Sequence, residues 1–274
     1  MRISHNITAL NTYRQYNTNT VSTNKSMEKL SSGSRINRAA DDAAGLSISE
    51  KMRSQIRGLT QGTRNAQDGV SFIQTAEGAL SEVSDMLTRM KELAVQVQNG
   101  TYSEEDQTNI GSEMKALGTA ITDIYVNTKF NGTTVFGAQS APGGVITDNA
   151  GTATAATFYY GENGNQSVKV LDAKTTALND LTTETVGATT AAGAKEVTAD
   201  LVEKAISEVD TTRAGYGALQ NQLEHASNNM ATTKENLQAA ESRVRDVDMA
   251  DEMMSYTKNN ILLQASQAML AQAN

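Results

Sequence analysis

The sequence predicts a mainly α protein: a long antiparallel coiled-coil or helical-bundle rod with a small β-hairpin region and helical termini. Three observations predict it. Apolar residues recur at heptad spacing over long stretches of the 274 residues. Only 38% of the chain is apolar and 4% aromatic, with one Pro and no Trp, under the roughly 45–50% (Gly included) of compact domains. Turn-forming Gly, Asn and Thr gather in one block, residues 128–198. Thin helical layers completed by other copies of the chain fit this composition better than a single core.

Taken in order, Ile3, Ile7 and Leu10 begin a modest N-terminal helical stripe. A longer helix is predicted from about Asp41 to Gln98, closed by Asn99-Gly100. Its row reads Leu59, Ala66, Ile73, Leu80, Leu87, Ala94, with Ala76, Val83, Met90 and Val97 three residues after the later members. At about 1.5 Å per residue such a helix is roughly 85 Å long. Ser103 is a candidate cap for the next helix, and Glu104, Glu105 and Asp106 suit its positive end. The stripe Ile110, Met114, Leu117, Ile121, Ile124 predicts that this helix folds back on the first.

The segments "TKFNGTTVFG" (128–137) and "ATFYYGENGNQSVKVLD" (156–172) read as hairpins, the first turning at Asn131-Gly132 and the second near Gly161–Gly164. The Gly-, Ala- and Thr-rich stretches Ala138–Gly151 and Thr175–Gly193 read as loops or a small surface lobe. The longest row follows: Val202, Val209, Tyr216, Leu223, Met230, Leu237, Val244, with Ala205, Thr212, Leu219, Ala226, Thr233, Ala240 and Val247 as companions. Alternating large and small residues predict close antiparallel packing. Met254, Ile261 and Ala268 form a last stripe. Both terminal stripes are weak, so these helices are expected to order only when packed with neighbours.

Composition excludes several function classes. A net charge of −8 argues against nucleic acid as a partner. Residues 1–40 are locally basic, six cations against Glu28, but carry too few bulky apolar residues to anchor a membrane-surface helix. No apolar run reaches the roughly 18 residues of a membrane span, so no membrane insertion is expected, and no signal-peptide core follows Met1. Without Cys there are no disulfides, thiol nucleophiles or Cys-based metal sites. His5 and His225 belong to no metal-ligand spacing, and H-E-x-x-H, G-x-S-x-G and phosphate-loop motifs are absent. "GYG" at Gly215–Gly217 falls inside a helical row and reads as close packing. The sequons at Asn6, Asn99, Asn131 and Asn165 are expected by chance in so Asn- and Thr-rich a chain. No enzyme, metal or cofactor is expected.

The one polar knot is "LSSGSRINRAADDAAGLSIS", residues 30–49, where Arg35, Arg38, Asp41 and Asp42 fall within eight residues. Adjacent carboxylates could hold a cation or act as acid and base, but neither His nor a further acid accompanies them. The structural reading has Asp41 capping the following helix, Asp42 in its first turn, and Gly33 ending the preceding one. The neck reads as a joint.

With these residues in view, "LSSGSRINRAADDAAGLSISEKMRSQIRGLTQGTRNAQDGVSFIQTAEGAL" and "MKELAVQVQNGT" closely resemble bacterial flagellin. So does "ENLQAAESRVRDVDMADEMMSYTKNNILLQASQAMLAQAN" at the far end. The resemblance covers about residues 1–135 and 198–274. It implies a structural subunit that polymerises with itself into the flagellar filament for motility. It further implies terminal helices (1–34 and 242–274) forming an inner tube, a spoke at 35–44, a rod from 45–135 and 198–241, and a short variable outer segment at 136–197. Export through the flagellar secretion apparatus with a chaperone on the C-terminal helix, contact with filament cap and hook-junction proteins, and an extracellular location follow from it too. Flagellins ordinarily continue past "MLAQAN" with a Gln- and Pro-containing stretch and an apolar end, whereas this sequence stops at Asn274. If that stretch is missing, weaker filaments are expected, rescued by restoring it.

The same resemblance extends to "RMKELAVQ", similar to the segment by which flagellins activate the flagellin-sensing Toll-like receptor of animals. It places receptor contacts on Arg89, Leu93 and Glu113. Arg89 and Leu93 share a helix face and lie off the heptad rows, so both are expected outside the intramolecular seam. Glu113, beside Met114, is expected near Arg89 once the helices fold back. Three alternatives differ in class. A secreted enzyme on flagellin ends needs a catalytic insert, and residues 136–197 lack the H-E-x-x-H metalloprotease motif that some flagellins carry; a cytoplasmic signalling rod does not account for the neck. A hook–filament junction protein of the same superfamily is disfavoured by the filament-type match at both ends.

Overall fold

The heptad rows become helices whose buried sides are the rows themselves. The computed structural model describes residues 6–136, 139–141, 145–147, 157–164, 166–169 and 176–273; Ile3, His5 and Asn165 lie outside them. In order the elements are α1 (Ile7–Ser32), α2 (Ala43–Val97), α3 (Glu104–Asn127), β1 (Lys129–Phe130), β2 (Thr133–Thr134), β3 (Gln139–Ala141), β4 (Val145–Thr147), β5 (Thr157–Tyr160), β6 (Gln166–Lys169), α4 (Thr176–Gly187), α5 (Ala191–Glu196), α6 (Ala199–Arg245) and α7 (Met249–Ala273). The strands pair antiparallel as β1–β2, β3–β4 and β5–β6. The chain divides into two compact units, residues 58–232 and residues 1–57 with 233–274.

Residues 58–232 hold the apolar core. Every member of the α2 row from Leu59 to Ala94 is buried, as are its companions Ala76, Val83, Met90 and Val97. From α6, Val202, Ala205, Val209, Tyr216, Leu223 and Met230 are buried too. α3 starts where sequence placed it: the Ser103 hydroxyl accepts from the Asp106 N–H at 3.2 Å and the Asp106 carboxylate accepts from the Ser103 N–H at 3.2 Å, a capping box. Its predicted stripe is rotated, however. Met114 and Ile121 are buried, Ile110, Leu117 and Ile124 only half-buried, and Gly111, Gly118 and Tyr125 complete the buried face.

That rotation has a cause in a segment read from sequence as loop. Thr176–Gly187 and Ala191–Glu196 are helices, not loops. Thr-rich helices are intrinsically poor, so packing makes them: Leu178, Leu181, Thr182 and Thr185 are buried. A Cβ on Gly118 would meet the Thr185 side chain, and one on Gly111 the Ala188 carbonyl. α3 therefore presents its small residues to α4 and α5. The Glu208 carboxylate, from α6, accepts the Ala177 N–H at 2.8 Å and caps the start of α4.

Both predicted hairpins are present. Asn131 (φ 49°) and Gly132 (φ 80°) make the β1–β2 turn with two positive φ values, the geometry that favours Asn-Gly. Phe72 on α2 holds both hairpins edge-on, its ring 5.7 Å from Phe130 and 5.4 Å from Phe158. The β3–β4 pair falls in the stretch Ala138–Gly151 read as loop; strands of three residues are too short to register as a pattern.

In the other unit, α1 packs against α7 and the chain after Gly33 pairs with the end of α6. Among the described residues no helix is long and apolar enough to cross a membrane.

Candidate functional site

Three surfaces carry the polar and apolar groups that the core leaves unused: the neck, the terminal helix pair, and a charged face of α2 and α3. The neck is built on backbone. Gly33 closes α1 in the left-handed conformation (φ 69°), its N–H donating to the Lys29 carbonyl at 2.8 Å. Directly after it the chain pairs with the end of α6: the Arg35 N–H donates to the Arg245 carbonyl at 2.6 Å and the Val247 N–H to the Gly33 carbonyl at 3.1 Å. The Arg35 guanidinium reaches the Val244 carbonyl at 2.7 Å, and Arg245 pairs with Glu50 at 2.9 Å.

The two neck carboxylates divide differently from the sequence reading. Asp42, not Asp41, caps α2, its carboxylate accepting the Gly45 N–H at 2.9 Å. Asp41 closes the preceding turn instead, accepting from the Arg38 N–H at 3.1 Å. The difference is one residue and has a plain cause: α2 begins at Ala43, so Gly45 is the third helical N–H and Asp42 the residue in reach of it. The Arg38 N–H bond, with Asn37, Lys25 and Lys29 adding to it, holds the Asp41 carboxyl below the usual carboxylate range. The Arg245 bond does the same for Glu50, with Arg53 beside it. Among the described residues no group of His, Asp or Glu is placed to hold a metal ion, and the neck's polar groups are spent on capping and bridging.

The terminal pair inverts the usual order of a helix seam. The buried residues of α1 are Asn19, Thr23 and Ser26, and among the described side chains of α7 the buried one is Ser266. The Asn19 amide donates to the Ser266 hydroxyl at 2.8 Å, and the Ser266 hydroxyl donates to the Leu262 carbonyl at 2.7 Å. Lys29 and Glu252 close the neck end at 3.7 Å. Apolar side chains face outward: Ile7, Leu10, Tyr13, Val21 and Met27 from α1, and Met253, Met254, Ile261, Leu262 and Met269 from α7. On α7, Met253, Met254, Ile261 and Leu262 line an open apolar groove of about 510 Å³. A paired helix with its apolar groups outside is complete only when something covers them.

On α2 and α3, Arg89 donates to Glu113 at 3.0 Å and to Glu92 at 3.0 Å, with all three side chains about half exposed. Both partners raise the Arg89 guanidinium above its ordinary value, Glu92 first. Lys91 extends the charged strip to Glu203 at 3.2 Å. Leu93 departs from expectation: it is 1% exposed, inside the seam. With about 3.6 residues per turn, Leu93 follows Met90 by three and precedes Val97 by four, and thus shares their buried face.

Two family models match this chain: the bacterial flagellin N-terminal helical region over residues 3–141, and the bacterial flagellin C-terminal helical region over residues 199–274. The chain belongs to the flagellin family. Flagellin from Bacillus subtilis (strain 168) is 48% identical over 302 residues, covering 100% of this chain and 96% of that protein. Flagellin from Halalkalibacterium halodurans is 47% identical over 283 residues with the same coverage. The flagellar filament 33 kDa core protein of Treponema phagedenis is 44% identical over 279 residues, again covering 100% and 96%. The flagellin family is a structural one, and its relatives named above include a flagellar filament core protein.

Several groups in this flagellin escaped sequence reasoning. The inward polar residues Asn19, Thr23 and Ser26 recur at helical spacing, but no apolar stripe marks that face as the buried one. The last stripe, Met254, Ile261 and Ala268, faces outward in the single chain. The Ser34–Asp246 bridge joins residues about two hundred positions apart, and nothing local announces it.

Proposed function

We propose that this flagellin polymerises with itself into the flagellar filament and that the α1–α7 pair is its principal assembly surface. The observation that carries the proposal is the inversion of that pair: small polar residues inside, methionines, isoleucines and leucines outside. A second copy of the same pair presents the apolar complement. In this reading residues 1–34 and 242–274 form the inner tube, 35–44 the spoke, 45–135 and 198–241 the rod, and 136–197 a short outer segment. The chain reaches the filament tip by flagellar export, escorted by a chaperone on its C-terminal helix, and meets the cap and hook-junction proteins there. Its station is extracellular. Electron microscopy of purified protein after seeding tests the proposal: long tubes are expected, and soluble monomer at every concentration would overturn it.

The monomer also carries a second role, activation of the animal flagellin-sensing Toll-like receptor. The half-exposed Glu92–Arg89–Glu113 arrangement supports it, an arginine held in a fixed pose by two carboxylates. Leu93, being buried, serves by supporting this ridge from below. In the polymer the same face is covered between subunits.

A further inference from the structure

The sulfur of this chain is all methionine, eleven residues, and none is cysteine. Met52 and Met86 are half-buried, and the other described methionines fall into two sets. Met90, Met114 and Met230 lie in the core of residues 58–232 at 0%, 0% and 4% exposure. Met27, Met249, Met253, Met254 and Met269 lie on α1 and α7 and are half exposed or more, Met254 reaching 65%. Met253 and Met254 also line the apolar groove of α7. Every strongly exposed thioether among the described residues therefore sits on the surface proposed above for assembly.

We propose that the outward methionines of the terminal pair, Met253 and Met254 foremost, are a reversible oxidation site through which hydroperoxides control assembly. This rests on the assembly reading. The chemistry balances simply. The thioether sulfur attacks the distal oxygen of the hydroperoxide, the O–O bond breaks, an S=O bond forms, and water or an alcohol leaves; sulfur is oxidised by two electrons and the peroxide reduced. Methionine sulfoxide is polar and chiral where the thioether was apolar and adaptable, so it disrupts Met-rich interfaces. On an inward methionine the same change would unfold the core. Here it falls on the face that a second copy must cover, and it alters association while leaving the fold of residues 58–232 intact. Sulfoxide reductases specific for the two sulfur epimers reverse it, a dithiol reductant giving up two electrons and two protons to become a disulfide while the sulfoxide oxygen leaves as water. Burial in the polymer removes the thioethers from solvent, so incorporated subunits resist and free ones respond.

The test treats full-length monomer with graded hydrogen peroxide and reads two quantities: sulfoxide at each methionine by peptide mass spectrometry, and seeded polymerisation by sedimentation and electron microscopy. Since susceptibility follows exposure, Met253 and Met254 are expected to oxidise about tenfold faster or more than Met90, Met114 and Met230. Polymerisation should fall in step with their oxidation and return after treatment with both reductases. In the double variant Met253→Leu with Met254→Leu, read against that variant's own untreated polymerisation, the fractional loss caused by peroxide should be far smaller than in the parent. Equal oxidation of inner and outer methionines, full polymerisation of oxidised monomer, or undiminished sensitivity of the double variant each overturns the switch. Failure of untreated protein to polymerise overturns the assembly reading itself, and the switch with it. Normal polymerisation without an oxidation effect overturns the switch alone.

Discussion

Asn19 and Ser266 meet inside the terminal helix pair, amide to hydroxyl at 2.8 Å, both buried and 247 residues apart in sequence. A buried polar pair stabilises less than an apolar one but tolerates few alternative registers, because a slip leaves both groups unsatisfied. Asn19 thus fixes how α1 lies on α7, and the outward residues of the pair inherit that register.

Asn19→Ala is expected to remove about 1 kcal/mol, since Ser266 keeps its bond to the Leu262 carbonyl. Amide hydrogen exchange on the monomer is the measurement. Exchange in α1 and α7 should be fast beside that of the buried α2 row in the parent, and faster still in the variant. Strong protection of both terminal helices in the parent would contradict a pair that depends on its neighbours.

Asp41 and Asp42 should respond differently to replacement. Asp42→Ala removes the cap of α2 and is expected to cost about 1 kcal/mol, with Asp42→Asn retaining most of it. Asp41→Ala releases the turn before it. Neither change should remove any hydrolytic or metal-dependent activity; both should weaken filaments, because a small loss is repeated in every subunit. Melting of filaments by the variants, followed by light scattering, decides this.

Acid should loosen the same neck. The folded-state carboxyls of Asp41 and Glu50 are held low, first by the Arg38 N–H and by Arg245 respectively. A depressed carboxyl contributes stability that is present above its unfolded pKa and is lost as pH falls through the folded one. The neck amides of Arg35 and Val247 should therefore exchange faster relative to the global rate as pH drops below the ordinary carboxylate range. Glu50→Gln should flatten part of that dependence. A pH-independent neck would remove the electrostatic account.

Two glycines of similar appearance in the sequence should behave oppositely. Gly78 lies exposed in α2 with no atom within 4 Å of an added Cβ, so Gly78→Ala is expected to stabilise by about 1 kcal/mol through helix propensity. A Cβ on Gly111 would strike the Ala188 carbonyl, and Gly111→Ala should destabilise by about 1–3 kcal/mol as α4 and α5 are pushed off. Denaturant midpoints distinguish the two.

How far the sequence disclosed this structure depends on the range of the interaction. Heptad rows are local and strong, so Leu59 through Ala94 and Val202 through Met230 were legible as buried. Turn chemistry is local as well, which is why Asn131-Gly132 was found. α4 was missed because its Thr-rich segment has little propensity of its own and is helical through Leu178 and Leu181 packing on a glycine face that α3 conceals in sequence. The inward polar seam of α1 was missed for a related reason: its partner lies at the other end of the chain. Leu93 lies off the two heptad rows yet is buried with them, because the buried stripe of α2 is wider than the rows.

Leu93 also separates two ways of losing the proposed receptor recognition. Leu93→Ala removes a buried side chain and should destabilise the monomer by about 2–5 kcal/mol, so any fall in signalling would accompany a fall in melting temperature. Arg89→Ala with Glu113→Ala removes half-exposed charges at the surface, where ion pairs contribute little to stability, and should leave the melting temperature nearly unchanged. Receptor signalling by that folded double variant should nevertheless fall roughly tenfold or more, the loss expected when an arginine anchor is truncated. Arg89→Lys keeps the charge but loses the planar fork that Glu92 and Glu113 orient, and should rescue only partly. Folding of each variant is checked by circular dichroism before the reporter-cell assay. Full signalling by a folded Arg89→Ala, Glu113→Ala monomer would place the contact elsewhere on the chain.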